Sequence, residues 1–103
     1  MVKFPCHAKL DEDVDWARVK SDAKYIYRGS LGMDVDWHDR RFKMMSRNHL
    51  HTLVIHNVTV NDSAYYRCVE DKGFGNRHIY GLTVQGDFLL LVSINYLTLS
   101  LYS

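Results

Sequence analysis

The sequence predicts an all-β domain, and three observations carry that reading. Apolar residues recur with period two, in short runs rich in β-branched and aromatic side chains. Turn residues separate the runs, and no stretch shows a convincing helix. At 103 residues the chain is long enough for one hydrophobic core and too short for two.

The strands follow in order. Residues 2–8 alternate with Val2, Phe4 and Cys6 on one face, and Pro5, which has no N–H to donate, belongs at a bulge or an edge. The acidic stretch Asp11, Glu12, Asp13 reads as a loop into 14–19, where Trp16 turns inward between Val14 and the stem of Arg18. Residues 24–28 are rich in strand formers and end at Gly29-Ser30-Leu31-Gly32, which makes a hairpin of the second and third strands. Residues 41–44 and 51–55 are two more strands, with Leu53 and Ile55 inward, and 57–63 is the turn after them.

Residues 64–70 put Ala64, Tyr66 and Cys68 on one face, and Gly73 and Gly75 supply the left-handed backbone that a hairpin turn wants. The returning strand, 79–84, turns Tyr80, Leu82 and Val84 inward. The tetrapeptide Asp-Val-Asp-Trp occurs at 13–16 and again at 34–37, far too short for a structural repeat.

The domain is placed at 1–86, because the composition changes after Gly86. Residues 88–102 are mostly apolar, yet Ser93, Asn95, Thr98 and Ser100 interrupt them, and the run falls short of the ~20 residues a membrane helix needs. Residues 97–101 alternate as a strand would. Three readings of the 87–103 tail stay open: an extra strand over an open sheet edge, a truncated membrane anchor, or read-through that is not native.

Composition excludes several functions. Net charge is +1 and no basic run exceeds Arg40-Arg41, so nothing offers the stripe that neutralises nucleic-acid phosphates. Two cysteines, Cys6 and Cys68, cannot make a zinc site alone; they are either one disulfide or two buried thiols. If bridged, so long a loop removes roughly 4 kcal/mol of unfolded-state entropy and implies an oxidising compartment. Sequons at Asn57 and Asn61 agree with that compartment. No basic flank and apolar stretch of a secretory signal opens the chain.

One constellation decides the class: Cys6, then Trp16, then Asp62-Ser63-Ala64-Tyr65-Tyr66-Arg67-Cys68. In this the chain resembles the immunoglobulin V-set family over residues 1–85, and its fold is expected to be an immunoglobulin-like β-sandwich. The resemblance implies a Cys6–Cys68 disulfide stapling two sheets, with Trp16, Leu53 and Leu82 in the core. It makes Tyr66 the tyrosine corner and pairs Arg41 with Asp62 to close one end of the sandwich. The strand that in this family precedes the first cysteine is missing, so one sheet edge is left uncovered unless the tail fills it. Gly73 and Gly75 do not stand where the joining-segment glycines of antigen receptors would. The runs at 14–19, 25–29 and 51–58 look more like butyrophilin-like ligands or cell-adhesion domains.

The same resemblance implies extracellular recognition of a protein, on another cell or on a like copy of itself, in a receptor of immune or adhesion type with membrane attachment in the full-length protein. Two surfaces are candidates. On the sheet face the outward positions are Ala17, Val19, Arg67, Val69, Ile79 and Gly81, flanked by Tyr25 and Tyr27, of which register decides the one that faces out. At the hairpin tip are Asp71, Lys72, Phe74, Asn76 and Arg77. The alternatives are an auxiliary domain lying beside a membrane protein such as a channel, or an incomplete fragment.

Other chemistry has little support. His49 and His51 share a strand face with His56 nearby, but no carboxylate adjoins them, so they read as surface histidines rather than metal ligands. The acidic run at 11–15 matches no calcium loop. No nucleophile and base can be assembled, no cofactor motif occurs and no small-molecule substrate is implied, so the domain is not expected to be an enzyme.

Overall fold

The computed structural model describes residues 1–8, 14–70, 75–86, 88–93 and 97–101, with Ser30, 88–93 and 97–101 given by backbone alone. Among the described residues nine strands form: β1 (Val2–Phe4), β2 (Asp15–Val19), β3 (Ala23–Arg28), β4 (Phe42–Arg47), β5 (Leu50–Ile55), β6 (Ala64–Val69), β7 (Arg77–Gln85), β8 (Phe88–Ser93) and β9 (Leu97–Leu101). Two 3₁₀ turns, Gly29–Leu31 and Val60–Asp62, lie between them. The strands make a three-stranded sheet in the order β1-β5-β4 and a six-stranded sheet in the order β3-β2-β6-β7-β8-β9, antiparallel throughout.

The first strand is shorter than alternation predicts, because Pro5 ends the ladder after Phe4. Beyond it Cys6 accepts from the His51 N–H at 2.8 Å and the Ala8 N–H donates to His49 at 2.9 Å, so the segment still lies along β5. The β4–β5 hairpin is longer than expected. Arg47 pairs with Leu50 across a two-residue turn at Asn48 and His49, both with positive φ, 50° and 66°. Two left-handed residues are what a type I′ turn requires, and they match the twist of the flanking strands. Along the far edge of β7, β8 pairs from Gln85↔Phe88 to Tyr80↔Ser93.

Between the sheets lies one aromatic core. Phe4 stacks on Tyr80 at 4.9 Å and on Tyr66 at 5.4 Å, with Trp16 at 6.1 Å from Tyr80. Cys6 and Cys68 are disulfide-bonded across the sheets, their Cα atoms 6.4 Å apart, and both are buried beside Trp16. Leu53, Ile55, Leu82 and Val84 fill the rest. Trp37 completes it from the β3–β4 connection, edge-on to Phe42 at 4.7 Å and covered by the Arg18 guanidinium at 4.7 Å and the Lys24 amine at 5.5 Å. The two Asp-Val-Asp-Trp segments are not a repeat: Trp16 sits in a strand and Trp37 in an Asx turn, where Asp34 accepts from the Asp36 N–H at 2.9 Å.

A β-bulge settles which tyrosine faces out. Trp16 pairs with Tyr27 but Ala17 pairs with Tyr25, so Ile26 is the extra residue on β3. Tyr27 therefore shares the inner face with Trp16 and packs against the core, while Tyr25 shares the outer face with Ala17. Of the two candidate contact tyrosines, register thus makes Tyr25 the one that faces out and turns Tyr27 inward.

Candidate recognition surface

One end of the sandwich is closed by a charge network. Arg41 donates to both oxygens of Asp62, Nη1 to Oδ2 and Nη2 to Oδ1, each at 2.8 Å. It also donates to Asp39 through Nη2 at 2.7 Å and Nε at 3.1 Å, and to the Asn57 carbonyl at 2.8 Å. Asp62 accepts a further bond from the Thr59 N–H at 2.8 Å, and its own carbonyl accepts the Tyr66 hydroxyl at 2.6 Å. Tyr66 thus makes the tyrosine corner.

Electrostatics follow from this geometry. Burial alone would raise the Asp62 carboxyl, but the hydrogen bonds from Arg41 and Thr59 outweigh it and hold it below the ordinary carboxylate range. Hydrogen bonds from Arg41 lower Asp39 as well. Both carboxylates raise the guanidinium's hold on its proton, and burial pushes the Tyr66 phenol up. Asp39 escaped the sequence reading, although an Asp two residues before an Arg is a local signal; its Oδ1 also accepts the Arg41 N–H at 3.1 Å.

The outer face of the six-stranded sheet differs in kind. Register aligns Tyr25, Ala17, Arg67 and Ile79 in one row, and Val19, Tyr65 and Gly81 in the next. Ala17 is only 1% exposed, so it is a floor for its neighbours rather than a contact residue. Tyr65, 60% exposed, and Tyr25, 37% exposed, stand above that floor, with Val19, Val69, Ile79 and Gly81 half-buried around them. The Arg28 guanidinium lies 4.4 Å over the Tyr25 ring. Arg67 sits at the centre, half-buried, and among the described residues it makes no ion pair or hydrogen bond; its Nε is shielded from solvent with no acceptor.

The loop between β6 and β7 borders this face. Lys72 and Phe74, with Asp71 and Gly73, lie outside the described residues. Asn76 and Arg77 are exposed, and Arg77, opposite Val69, belongs to the outer face. Gly75 has its own reason to be glycine. A Cβ there would stand 2.8 Å from the Glu70 Cβ, so the residue is required by close approach across the loop's neck rather than by a left-handed turn. Below the neck Glu70 and His78 meet at 3.0 Å.

The histidines need correction. His51 is buried, not on the surface, and its Nδ1 lies 2.8 Å from the Ser46 hydroxyl. His49 is exposed in the β4–β5 turn. Among the described residues no three His, Cys, Asp or Glu side chains gather as metal ligands would. The two sequon asparagines, Asn57 and Asn61, are both exposed at the Arg41 end, where the Asn57 carbonyl accepts from Arg41 and the Asn61 carbonyl from Lys20 at 2.9 Å.

The immunoglobulin V-set domain matches the chain over residues 1–85. The chain belongs to that family. No curated protein matches it. The V-set assignment accounts for both sheets, the disulfide and the tyrosine corner. V-set domains are typically recognition modules of immune or adhesion type rather than enzymes, commonly bind proteins, and with a disulfide are typically extracellular. No helix among the described residues is long and apolar enough to cross a membrane.

Proposed function

We propose that this V-set domain recognises a protein on another cell, or a second copy of itself, through the outer face of β3, β2, β6 and β7, as the extracellular part of a surface receptor. The observation that carries the reading is the contrast between the two outer faces. On the smaller sheet Lys3 and Lys43 flank Val54 from both sides and leave it only 1% exposed, so charge covers the middle of that face and Met45 is its one large exposed apolar side chain among the described residues. On the larger sheet two exposed tyrosines stand over small and aliphatic residues, the composition of a flat protein contact. Asn76 and Arg77 extend that surface toward the loop, and Asn57 and Asn61 place any sugar at the opposite end.

A glycan wedge tests it. Gly81→Asn makes an acceptor with Leu82 and Thr83, in the row that holds Tyr65. The full chain is secreted as a tetramer and used to stain a panel of cell types from its source organism. Staining that the wild type gives and the glycosylated variant loses supports the sheet face. Staining that both give equally, or no staining by the wild type on any cell, overturns it.

A further inference from the structure

We infer that Arg67 is the anchor of this contact and that the partner meets it with a side-chain carboxylate, an Asp or Glu raised from an otherwise apolar surface. The inference rests on the sheet-face reading and adds the partner's chemistry to it.

An arginine in the middle of a sheet face ordinarily has a counter-ion across the strands or runs its stem out to water. Arg67 does neither. Register sets it between Ala17 on β2 and Ile79 on β7, with Tyr65 and Val69 two residues away on its own strand. Ala17, Ile79 and Val69 carry no side-chain acceptor, and the Tyr65 hydroxyl, which could accept, makes no hydrogen bond with Arg67. The neighbours shield Nε, so the outer edge, Nη1 and Nη2, is what an incoming group can reach. That edge is a two-pronged donor, and the group that matches it in charge and spacing is a carboxylate bound through both oxygens.

Charge on the rest of the face agrees. Arg28, opposite Asp15, and Arg77, opposite Val69, share the face with Arg67, so among the described residues three guanidiniums stand there with the one carboxylate of Asp15. A neutral hydrogen-bonding partner would leave that excess uncompensated once water is excluded, whereas an acidic one uses it both to steer the encounter and to fix the register. The surroundings choose the source of the carboxylate. Aliphatic residues and tyrosines on an open pleated surface suit the flat surface of a protein.

The test uses the same full-chain tetramers on cells that the wild type stains. Arg67→Gln is expected to lower apparent affinity at least ten-fold and Arg67→Lys to recover part of the loss, since an ammonium keeps the charge but not the fork. Amidating the cells' carboxyl groups with carbodiimide and glycinamide is expected to abolish wild-type staining, and sialidase to leave it unchanged. The thermal midpoint of Arg67→Gln is expected to stay at or above that of the wild type, which separates lost binding from lost folding. Binding by Arg67→Gln equal to the wild type, with Gly81→Asn still blocking, overturns the anchor and leaves the sheet face standing. Loss on sialidase treatment overturns the protein carboxylate in favour of a sugar acid. Equal staining by all variants overturns both readings.

Discussion

Arg41 and Arg67 are two arginines of one small domain, both part-buried, and the molecule treats them in opposite ways. Arg41 donates to Asp62, to Asp39 and to the Asn57 carbonyl, so its fork is occupied at every prong. Arg67 has no acceptor among the described residues, and its Nε is shut away from water. The first arrangement repays the desolvation of its charges inside the chain. The second, on the proposed reading, leaves that repayment to a partner. The difference separates an end of the sandwich that holds the fold from a face whose central guanidinium has no acceptor among the described residues.

The closed end is where the largest stability losses are expected, and its two charges are not equivalent. The Asp62 side chain is 4% exposed and that of Arg41 29%. Arg41→Leu therefore strands a nearly dry carboxylate and is expected to cost about 3 kcal/mol. Asp62→Asn leaves Arg41 still paired with Asp39 and open to water, and is expected to cost about 1.5 kcal/mol. Urea melts of both variants at neutral pH check the ranking; equal losses would break the asymmetry.

Acid acts on the same pair with a definite sign. Asp62 and Asp39 have folded-state pKa values below their unfolded ones, so their contribution is present above the unfolded carboxylate value, about 3.9, and is lost as pH falls through the folded values. Wild-type stability should fall more steeply below about pH 4 than that of Asp62→Asn. Denaturant midpoints taken from pH 7 to pH 2.5 would show the two curves converging.

A smaller step inside the same end is Tyr66→Phe. It keeps the ring stacked on Phe4 and removes only the hydroxyl that donates to Asp62. The expected cost is about 1 kcal/mol, with no effect on the outer sheet face. Tetramer binding unchanged alongside a lower melting temperature would keep the two regions separate.

How much of this was legible depended on whether a feature was local. Cysteines, a tryptophan and a tyrosine at fixed spacing revealed the sandwich, because the inter-sheet staple and the corner need those side chains at those places. His51 was legible too: alternation that turns Leu53 and Ile55 inward also turns His51 inward, and only its residue type argued for the surface. Tyr25 and Tyr27 were not legible, since a single inserted residue, Ile26, shifts the face and nothing around it announces a bulge. Nor was the isolation of Arg67. That a strand arginine faces out follows from the pattern, but whether a carboxylate reaches it depends on which side chains two other strands bring alongside.

That isolation gives the smallest effect and the one opposite in sign. Arg67→Met keeps an unbranched stem over Ala17 and beside Ile79 while removing the shielded N–H that has no acceptor. An orphaned buried donor costs the folded state, so its removal is expected to raise stability by about 0.5 to 1 kcal/mol, where the equivalent change at Arg41 lowers it severalfold more. A face built for the domain's own stability has no reason to keep a residue whose loss improves the fold; one built for a partner does, because the donor gains its acceptor only in the complex. A thermal midpoint for Arg67→Met below that of the wild type would show that the guanidinium already has what it needs within the chain, and the contrast between the two arginines would close.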